Sequence, residues 1–158
     1  MLKWLWITAV VIILDQFTKY LASDLLTLHE PVEIIPLINL TLAHNTGAAF
    51  SFLSDASGWQ RWFFIGLALV VSAVILLWIR GLPQKASRTA ISLALILGGA
   101  LGNVWDRIQL GYVVDFIDVY YGQWHWPAFN AADSSITIGT ILLIVDALWG
   151  MRRNHNQL

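Results

Sequence analysis

The sequence contains no cysteine, and only 12% of its 158 residues are charged. Without thiols it can form neither a disulfide framework nor a thiolate zinc site, and it has no cysteine nucleophile. A soluble domain usually carries about 25% charged residues, so the shortage of charge argues against an ordinary soluble enzyme. It also excludes a disordered chain, which needs high charge and few apolar groups. The formal net charge of −1 gives no reason to expect nucleic acid as a partner.

In place of charge, the chain has long apolar stretches. Hydrophobic residues make up 58% of it, and the mean hydropathy is +0.66. A membrane helix needs about 20 mostly apolar residues, and we predict transmembrane helices over about residues 4–22, 62–79, 89–105 and 134–151. We expect the first to remain an uncleaved helix, because Asp15 and Lys19 interrupt its apolar run. Residues 1–158 are therefore predicted to form a single integral membrane domain that is mainly α-helical.

Charges of opposite sign are segregated along the chain. Six of the nine basic residues fall on one side of the predicted spans: Lys3, Arg80, Lys85, Arg88, Arg152 and Arg153. Since basic residues accumulate in cytoplasmic loops, we expect that side and both termini to be cytoplasmic. Eight acidic residues fall on or near the other, outer side: Asp24, Glu30, Glu33, Asp55, Asp106, Asp115, Asp118 and Asp133.

The two outer segments are too long to be simple connectors. Residues 23–58 include an alternation of apolar and polar residues over 38–42, which is the period of a β-strand. We therefore infer a small extracytoplasmic antiparallel sheet that rests on the outer membrane surface. In the second segment, residues 106–133, the stretches 112–114 and 119–121 favour extended structure, within what we expect to be an outer loop.

Polar residues inside the predicted spans are candidates for function, because they are costly in lipid. Asp15, Thr18 and Lys19 share one face of the first helix. Their structural interpretation is an ion pair in which Lys19 reaches outward and which orients a neighbouring site. At the end of the third helix, Asn103 and Arg107 share a face, and they could either line a site or anchor the interface.

Two further carboxylates are predicted to lie at similar depth at the outer interface. Asp115 follows the third helix, and Asp133 falls in the first turn of the fourth, where Asn130 could be the N-cap. Two carboxyl groups close together do not both ionise easily, and an aspartic protease uses such a pair to activate water. Asp118 remains a competing candidate from spacing alone. Asp146, deeper in the fourth helix, is expected to pair with a nearby arginine.

Other chemistries and other classes of protein find less support. The four histidines lack the spacing of metal ligands. No obvious base lies beside any of the candidate serines, Ser54, Ser57, Ser134 and Ser135. A small transporter would use Asp15, Lys19 and the outer acids as an ion path, but it should bury its acids near the middle of the membrane. A structural or assembly protein, whose polar residues only pack, is the third alternative.

Five motifs, in this order, resemble those of the lipoprotein signal peptidase (signal peptidase II) family of bacterial inner-membrane aspartic proteases. They are Asp-Gln-Phe-Thr-Lys at 15–19, Asn-Thr-Gly-Ala-Ala-Phe at 45–50, Gly-Gly-Ala-Leu-Gly-Asn-Val-Trp-Asp-Arg at 98–107, Val-Val-Asp-Phe at 113–116 and Phe-Asn-Ala-Ala-Asp-Ser at 129–134. A single motif of this kind would be weak, but five in order over nearly the whole chain are highly specific. None of them departs from the family pattern at a key position.

The resemblance implies roles for individual residues. Asp115 and Asp133 would form the catalytic dyad, and Asp118 would not belong to it. The implied substrate-binding and supporting residues are Asp15, Lys19, Asn45, Gly47, Asn103, Arg107, Asn130 and Ala131. No metal or organic cofactor is implied.

The resemblance also implies a substrate, a location and a fold. The substrate would be a prolipoprotein whose cysteine carries diacylglycerol, cleaved just before that cysteine. The enzyme would be a monomer among the lipids of the bacterial inner membrane, blocked by the cyclic peptide globomycin, with its site near the periplasmic face. The implied fold has four transmembrane helices, a small outer sheet called a cradle, and a second outer loop.

Overall fold

The computed structural model describes residues 1–47 and 58–155. After a short 3-10 helix at Leu2–Trp4 come α1 (Leu5–Leu25), α2 (Trp59–Gly81), α3 (Ser87–Gln109) and α4 (Ala131–His155). All four α-helices are long and apolar enough to cross a membrane, α4 over Ala131–Trp149, which confirms the four predicted spans. Each continues past its predicted carboxyl end, because helical hydrogen bonding does not stop where the apolar run stops. Some predictions concern groups outside the described part: Ser54, Asp55, Ser57, residues 48–50 of the second motif, and the side chains of Arg152 and Arg153.

Helix α3 is the central element of the bundle and packs against α1, α2 and α4. Glycines allow the close approach: a Cβ atom at Gly98 would meet Val11 of α1, and one at Gly102 would meet the carboxylate of Asp15. The other helices turn large apolar side chains such as Val70 and Leu77 outward, as lipid-facing surfaces require. The packing therefore places the polar face of α1 directly against the polar end of α3.

The outer segments together form one small sheet. Its strands, in chain order and in neighbour order, are β1 (Val32–Ile35), β2 (Ile38–Asn45), β3 (Val113–Tyr121) and β4 (Trp124–His125), and each neighbouring pair is antiparallel. The predicted antiparallel sheet is confirmed. The second outer segment, expected as a loop, contributes β3 and β4 to this same sheet, because its β-branched residues can pair with β2.

Pairing of β2 with β3 brings two distant parts of the chain together. Ala43 lies opposite Asp115, and Asn45 lies opposite Val113. Strand β3 also contacts α1 and α3, so this end of the sheet lies against the bundle. Asp115 is thereby carried to the place where α3 ends and α4 begins.

Candidate active site

Asp115 is buried in the middle of a set of amide donors. Its side chain belongs to β3 and only 2% of the residue is exposed. One carboxylate oxygen, Oδ1, accepts a hydrogen bond from Asn130 Nδ2 at 2.7 Å, and Oδ2 accepts one from Asn45 Nδ2 at 3.0 Å. Burial, followed by the nearby charge of Asp133, raises the pKa of Asp115 to about 7, while the two amide hydrogen bonds act in the opposite direction. At neutral pH this carboxyl group is therefore poised between its protonated and ionised forms.

Asp133 is held by a reciprocal cap at the start of α4. Its backbone N–H donates to Asn130 Oδ1 at 2.9 Å, and the backbone N–H of Asn130 donates to Asp133 Oδ2 at 3.2 Å. The N-cap role predicted for Asn130 is thus confirmed. The remaining carboxylate oxygen, Oδ1, accepts from Asn103 Nδ2 at 2.8 Å. Backbone geometry and one amide therefore fix the direction of the carboxylate.

Asn130 joins the two aspartates into one structure. Its buried side-chain amide donates to Asp115, to Asn103 Oδ1 at 3.2 Å and to the carbonyl of Val114 at 3.2 Å, while its oxygen caps the Asp133 N–H. An amide carries two N–H donors and an acceptor oxygen, so the three acceptors around Nδ2 share two hydrogens. Together with the backbone hydrogen bonds between Ile117 and Phe129, this side chain fixes β3 against the start of α4.

Lys19 lies behind the aspartates and is almost fully buried, at 3% exposure. Its ammonium group donates to Asp15 Oδ2 at 2.8 Å and Asn103 Oδ1 at 2.9 Å, and it lies 2.9 Å from Asp106 Oδ2. The prediction that Lys19 reaches outward is therefore wrong, since three acceptors compensate for its burial. Thr18, predicted on the same face, bonds instead to backbone carbonyls of its own helix.

Asp15 holds the amino end of α4, which carries Asp133. Its Oδ1 accepts the backbone N–H of Ala132 at 3.0 Å, so a carboxylate of α1 satisfies one of the free donors at the amino end of α4. That end carries a partial positive charge, which favours a carboxylate there. The interpretation of Asp15 and Lys19 as an ion pair that orients a neighbouring site agrees with these contacts.

Asp106 and Gln16 take part in this network, and sequence reasoning missed both. Asp106, predicted only as an acid on or near the outer side, is buried in the last turns of α3. Its Oδ1 accepts from Gln16 Nε2 at 2.8 Å, and its Oδ2 accepts the backbone N–H of Val114 at 3.1 Å, which fixes the start of β3. The only signal in the sequence was position. Gln16 follows Asp15 in the first motif, and Asp106 precedes Arg107 in the third.

Arg107 connects α3 to the segment that follows β2. Its Nη2 donates to the carbonyl of Gly47 at 2.8 Å, and its guanidinium lies 5.2 Å from the ring centre of Phe64. The N–H of Gly47 in turn donates to Asn45 Oδ1 at 3.0 Å. A chain of contacts therefore runs from Arg107 through Gly47 and Asn45 to Asp115.

Both aspartates line one cavity of about 560 Å³. The other lining residues are Asn45, Asn103, Arg107, Val113, Trp126, Pro127, Ala128, Phe129, Ser134, Thr137 and Ile138. Ile138 is 52% exposed on the membrane-facing side of α4, so the cavity is continuous with the surface that lipid would cover. Of the other predicted site residues, Asp15, Lys19, Gly47, Asn130 and Ala131 do not line the cavity; the first four act through the contacts above, and no such contact involves the side chain of Ala131.

Asp118 belongs to a separate cluster on the sheet. Its carboxylate accepts from Asn39 Nδ2 at 3.2 Å and lies 2.9 Å from Nδ1 of His125. It does not line the cavity that contains the other two aspartates. In the part of the chain that the structure describes, no group of three or more His, Asp or Glu residues could hold a metal ion.

Proteins of known family resemble this chain over most of its length. The family model described as signal peptidase (SPase) II matches residues 7–149. A protein named lipoprotein signal peptidase from Acinetobacter baumannii (strain ATCC 17978) is 56% identical over 148 residues, which are 94% of this chain and 84% of that protein. One of the same name from Pseudomonas aeruginosa (strain UCBPP-PA14) is 52% identical over 147 residues, 92% of this chain and 87% of that protein.

Two solved structures share the fold. Both are described as bacterial membrane enzymes studied by the in meso method. The first has a TM-score of 0.83 and 34% identity and covers 94% of this chain and 89% of its own. The second has a TM-score of 0.81 and 35% identity and covers 92% of each chain.

Proposed function

This chain belongs to the signal peptidase II family, and from that premise we propose that it is an aspartic endopeptidase whose reacting groups are Asp115 and Asp133. It is a multi-pass protease of the bacterial inner membrane that removes signal peptides from prolipoproteins. The proposal adds that the substrate cysteine carries diacylglycerol and that the cut falls just before this cysteine. It also assigns the enzyme a monomeric state and sensitivity to globomycin-type peptides.

One observation carries the catalytic part of the proposal: the two carboxyl groups line one cavity in different surroundings. Asp115 is buried, with a pKa near 7, whereas Asp133 is half-buried at a helix amino end. Two carboxyl groups in different surroundings of one cavity are the arrangement that acid–base catalysis by a carboxyl pair uses. The pH dependence of cleavage will reflect the two carboxyl groups as a coupled pair rather than either residue alone.

The proposed reaction uses both groups in turn. The Asp133 carboxylate takes a proton from a water molecule as the water oxygen attacks the peptide carbonyl carbon. The protonated Asp115 donates its proton to the carbonyl oxygen, which gives a tetrahedral intermediate with two hydroxyl groups. Asp133 then passes its proton to the amide nitrogen, the C–N bond breaks, and Asp115 recovers its proton as the new carboxyl group forms.

The shape of the cavity supports a lipid-anchored substrate. Its wall includes Thr137 and Ile138, which are exposed on α4 within a membrane span. A substrate with an apolar signal helix and two acyl chains could therefore approach from within the bilayer. Asn45 and Arg107, which also line the cavity, present amide and guanidinium donors suited to peptide carbonyl groups.

We also propose that the site faces the periplasm and that both termini are cytoplasmic. The described basic residues Lys3, Arg80, Lys85 and Arg88 lie at the start of α1, the end of α2 and the start of α3. Strands of the sheet follow the opposite ends of α1 and α3. The excess of positive charge away from the sheet supports this orientation.

The decisive experiment is cleavage of a purified prolipoprotein with and without the diacylglyceryl group. We expect cleavage of the modified substrate only, at the bond before the cysteine, and loss of cleavage with a globomycin-type peptide. Asp115→Asn and Asp133→Asn should each abolish cleavage while the protein remains folded.

Asp118→Asn is the matched control, because it removes a carboxylate from the same strand but outside the cavity. Its amide oxygen can still accept from His125, so substantial activity should remain. Near-normal cleavage by either cavity variant, or complete inactivity of the control, would refute the assignment of the dyad.

A further inference from the structure

A second cavity, of about 380 Å³, lies between α3 and α4 at the end of the bundle away from the sheet. Its lining residues are Arg88, Ile91, Ser92, Leu142, Val145, Asp146 and Trp149. Arg88 is the second residue of α3, and Trp149 ends the apolar part of α4. The cavity is therefore at the level where a membrane changes from hydrocarbon to headgroups, since indole side chains collect there.

The two charged groups of this cavity are not paired with each other. In residues 1–47 and 58–149, whose side chains are described, no ion pair involves Arg88 or Asp146. The predicted pairing of Asp146 with an arginine is thus not made with Arg88, and the side chains of Arg152 and Arg153 lie outside the described part. The guanidinium of Arg88 lies over the ring of Trp149, 5.5 Å from its centre. One oxygen of Asp146 accepts from the Thr89 hydroxyl at 2.8 Å. A cation and a carboxylate thus share a cavity, and each retains hydrogen-bonding capacity.

The remaining walls are suited to acyl chains. Ile91, Leu142 and Val145 are apolar, and the side chains of Leu142 and Trp149 on α4 are exposed. The buried hydroxyl of Ser92 donates to the carbonyl of Arg88 and has no further proton to offer. The volume lies near the lower limit for small-molecule sites, which fits a headgroup but not a whole lipid.

We propose that this cavity binds a phospholipid with an ethanolamine headgroup. The phosphate would accept from Arg88, the primary ammonium would donate to Asp146, and the acyl chains would run along Leu142 and Val145. A glycerol headgroup has no cation for the carboxylate, and a choline headgroup has no N–H donor. Basic pockets between membrane helices are known to hold lipid headgroups. Here the carboxylate of Asp146 selects the ethanolamine headgroup, which carries an ammonium group beside its phosphate.

The test measures lipid binding to the purified full chain in detergent by native mass spectrometry. Phosphatidylethanolamine, phosphatidylglycerol and phosphatidylcholine with identical acyl chains are titrated separately, and soluble phosphoethanolamine is a fourth probe. We expect the dissociation constant for phosphatidylethanolamine to be about tenfold or more below those of the other two lipids, since each of these loses a charge-assisted hydrogen bond. Soluble phosphoethanolamine keeps both polar contacts but should bind more weakly, because it has no acyl chains to bury. Equal affinity for the glycerol and ethanolamine lipids would overturn the proposal, and equal binding of soluble phosphoethanolamine would overturn the lipid assignment.

Three variants assign the effect to the cavity. Arg88→Gln should weaken binding of the ethanolamine lipid about tenfold, and Asp146→Asn should abolish its preference over the glycerol lipid. Arg80→Gln removes a basic residue outside the cavity and should change neither value. Persistence of the full preference in Asp146→Asn would overturn the proposal. Arg88 is exposed, so its replacement spares the packing. Unchanged affinity for the ethanolamine lipid in Arg88→Gln would also overturn the proposal, even if the other variant does not fold.

Discussion

Replacement of Asp115 by asparagine should stabilise the protein in a pH-dependent manner. Burial raises the pKa of this carboxyl group from 3.8 to about 7, so the ionised form is the one that folding disfavours. The contribution of Asp115 to stability should therefore be most favourable below pH 4 and should be lost as the pH rises to about 7. A pKa difference of about 3 corresponds to at most about 4 kcal/mol, at 1.36 kcal/mol for each pH unit. Asp115→Asn has no ionised form and should escape this loss.

The assay is thermal unfolding in detergent at a series of pH values from 4 to 8. The variant should lose a constant amount from imperfect hydrogen bonding with Asn45 and Asn130, about 1 kcal/mol. Its Tm relative to wild type should nevertheless rise steadily between pH 4 and pH 7 and level off above that. Asp118→Asn, on the same strand, provides the background slope. A Tm difference for Asp115→Asn that does not change with pH would refute the reasoning that burial of this carboxyl group costs stability.

Three further predictions follow from contacts around the cavity. Asn45→Ala removes a hydrogen bond that lowers the pKa of Asp115, so the basic limb of the kcat/KM profile should move upward by about one pH unit; an unchanged limb would contradict this. Lys19→Met leaves two buried carboxylates without their cation and should destabilise the fold by about 3–5 kcal/mol in thermal unfolding; a loss below about 1 kcal/mol would show that the pair is not needed. Gly102→Ala should lower stability by about 1–3 kcal/mol, because its Cβ would collide with a carboxylate of α1. Gly66→Ala, with nothing within 4 Å, is its control and should leave Tm unchanged or slightly higher.

Local signals were sufficient for the helices and for one detail of the site. The apolar runs predicted four spans, because a bilayer requires about 20 apolar residues in each. Asn130 and Asp133 could be read as an N-cap and a first-turn acid from their spacing, since a capping box involves only residues three apart. Both features depend only on residues that lie close together in the sequence.

Lys19 illustrates where such reasoning fails. From sequence, a lysine near the end of a membrane helix is expected to extend its charge toward water. The side chain is instead buried by Asp106 and Asn103, which lie more than 80 residues later in the chain. No local pattern indicates that α3 will bring these acceptors to α1. For the same reason, the sequence did not indicate that Asp106 is a partner of this buried cation.

The sequence by itself determined that this is a membrane protein with four spans, a small antiparallel sheet and a set of polar motifs that resemble one family. Composition and periodicity decide these features, because each depends on local chemistry and on the thickness of a bilayer. Only the tertiary structure decided that β2 pairs with β3, that Asp115 and Asp133 line one cavity, and that Asp118 does not. It also decided that Arg88 and Asp146 share a second cavity without pairing. Each of these features brings together residues that are far apart in the chain, and the packing of helices and strands determines which of them meet.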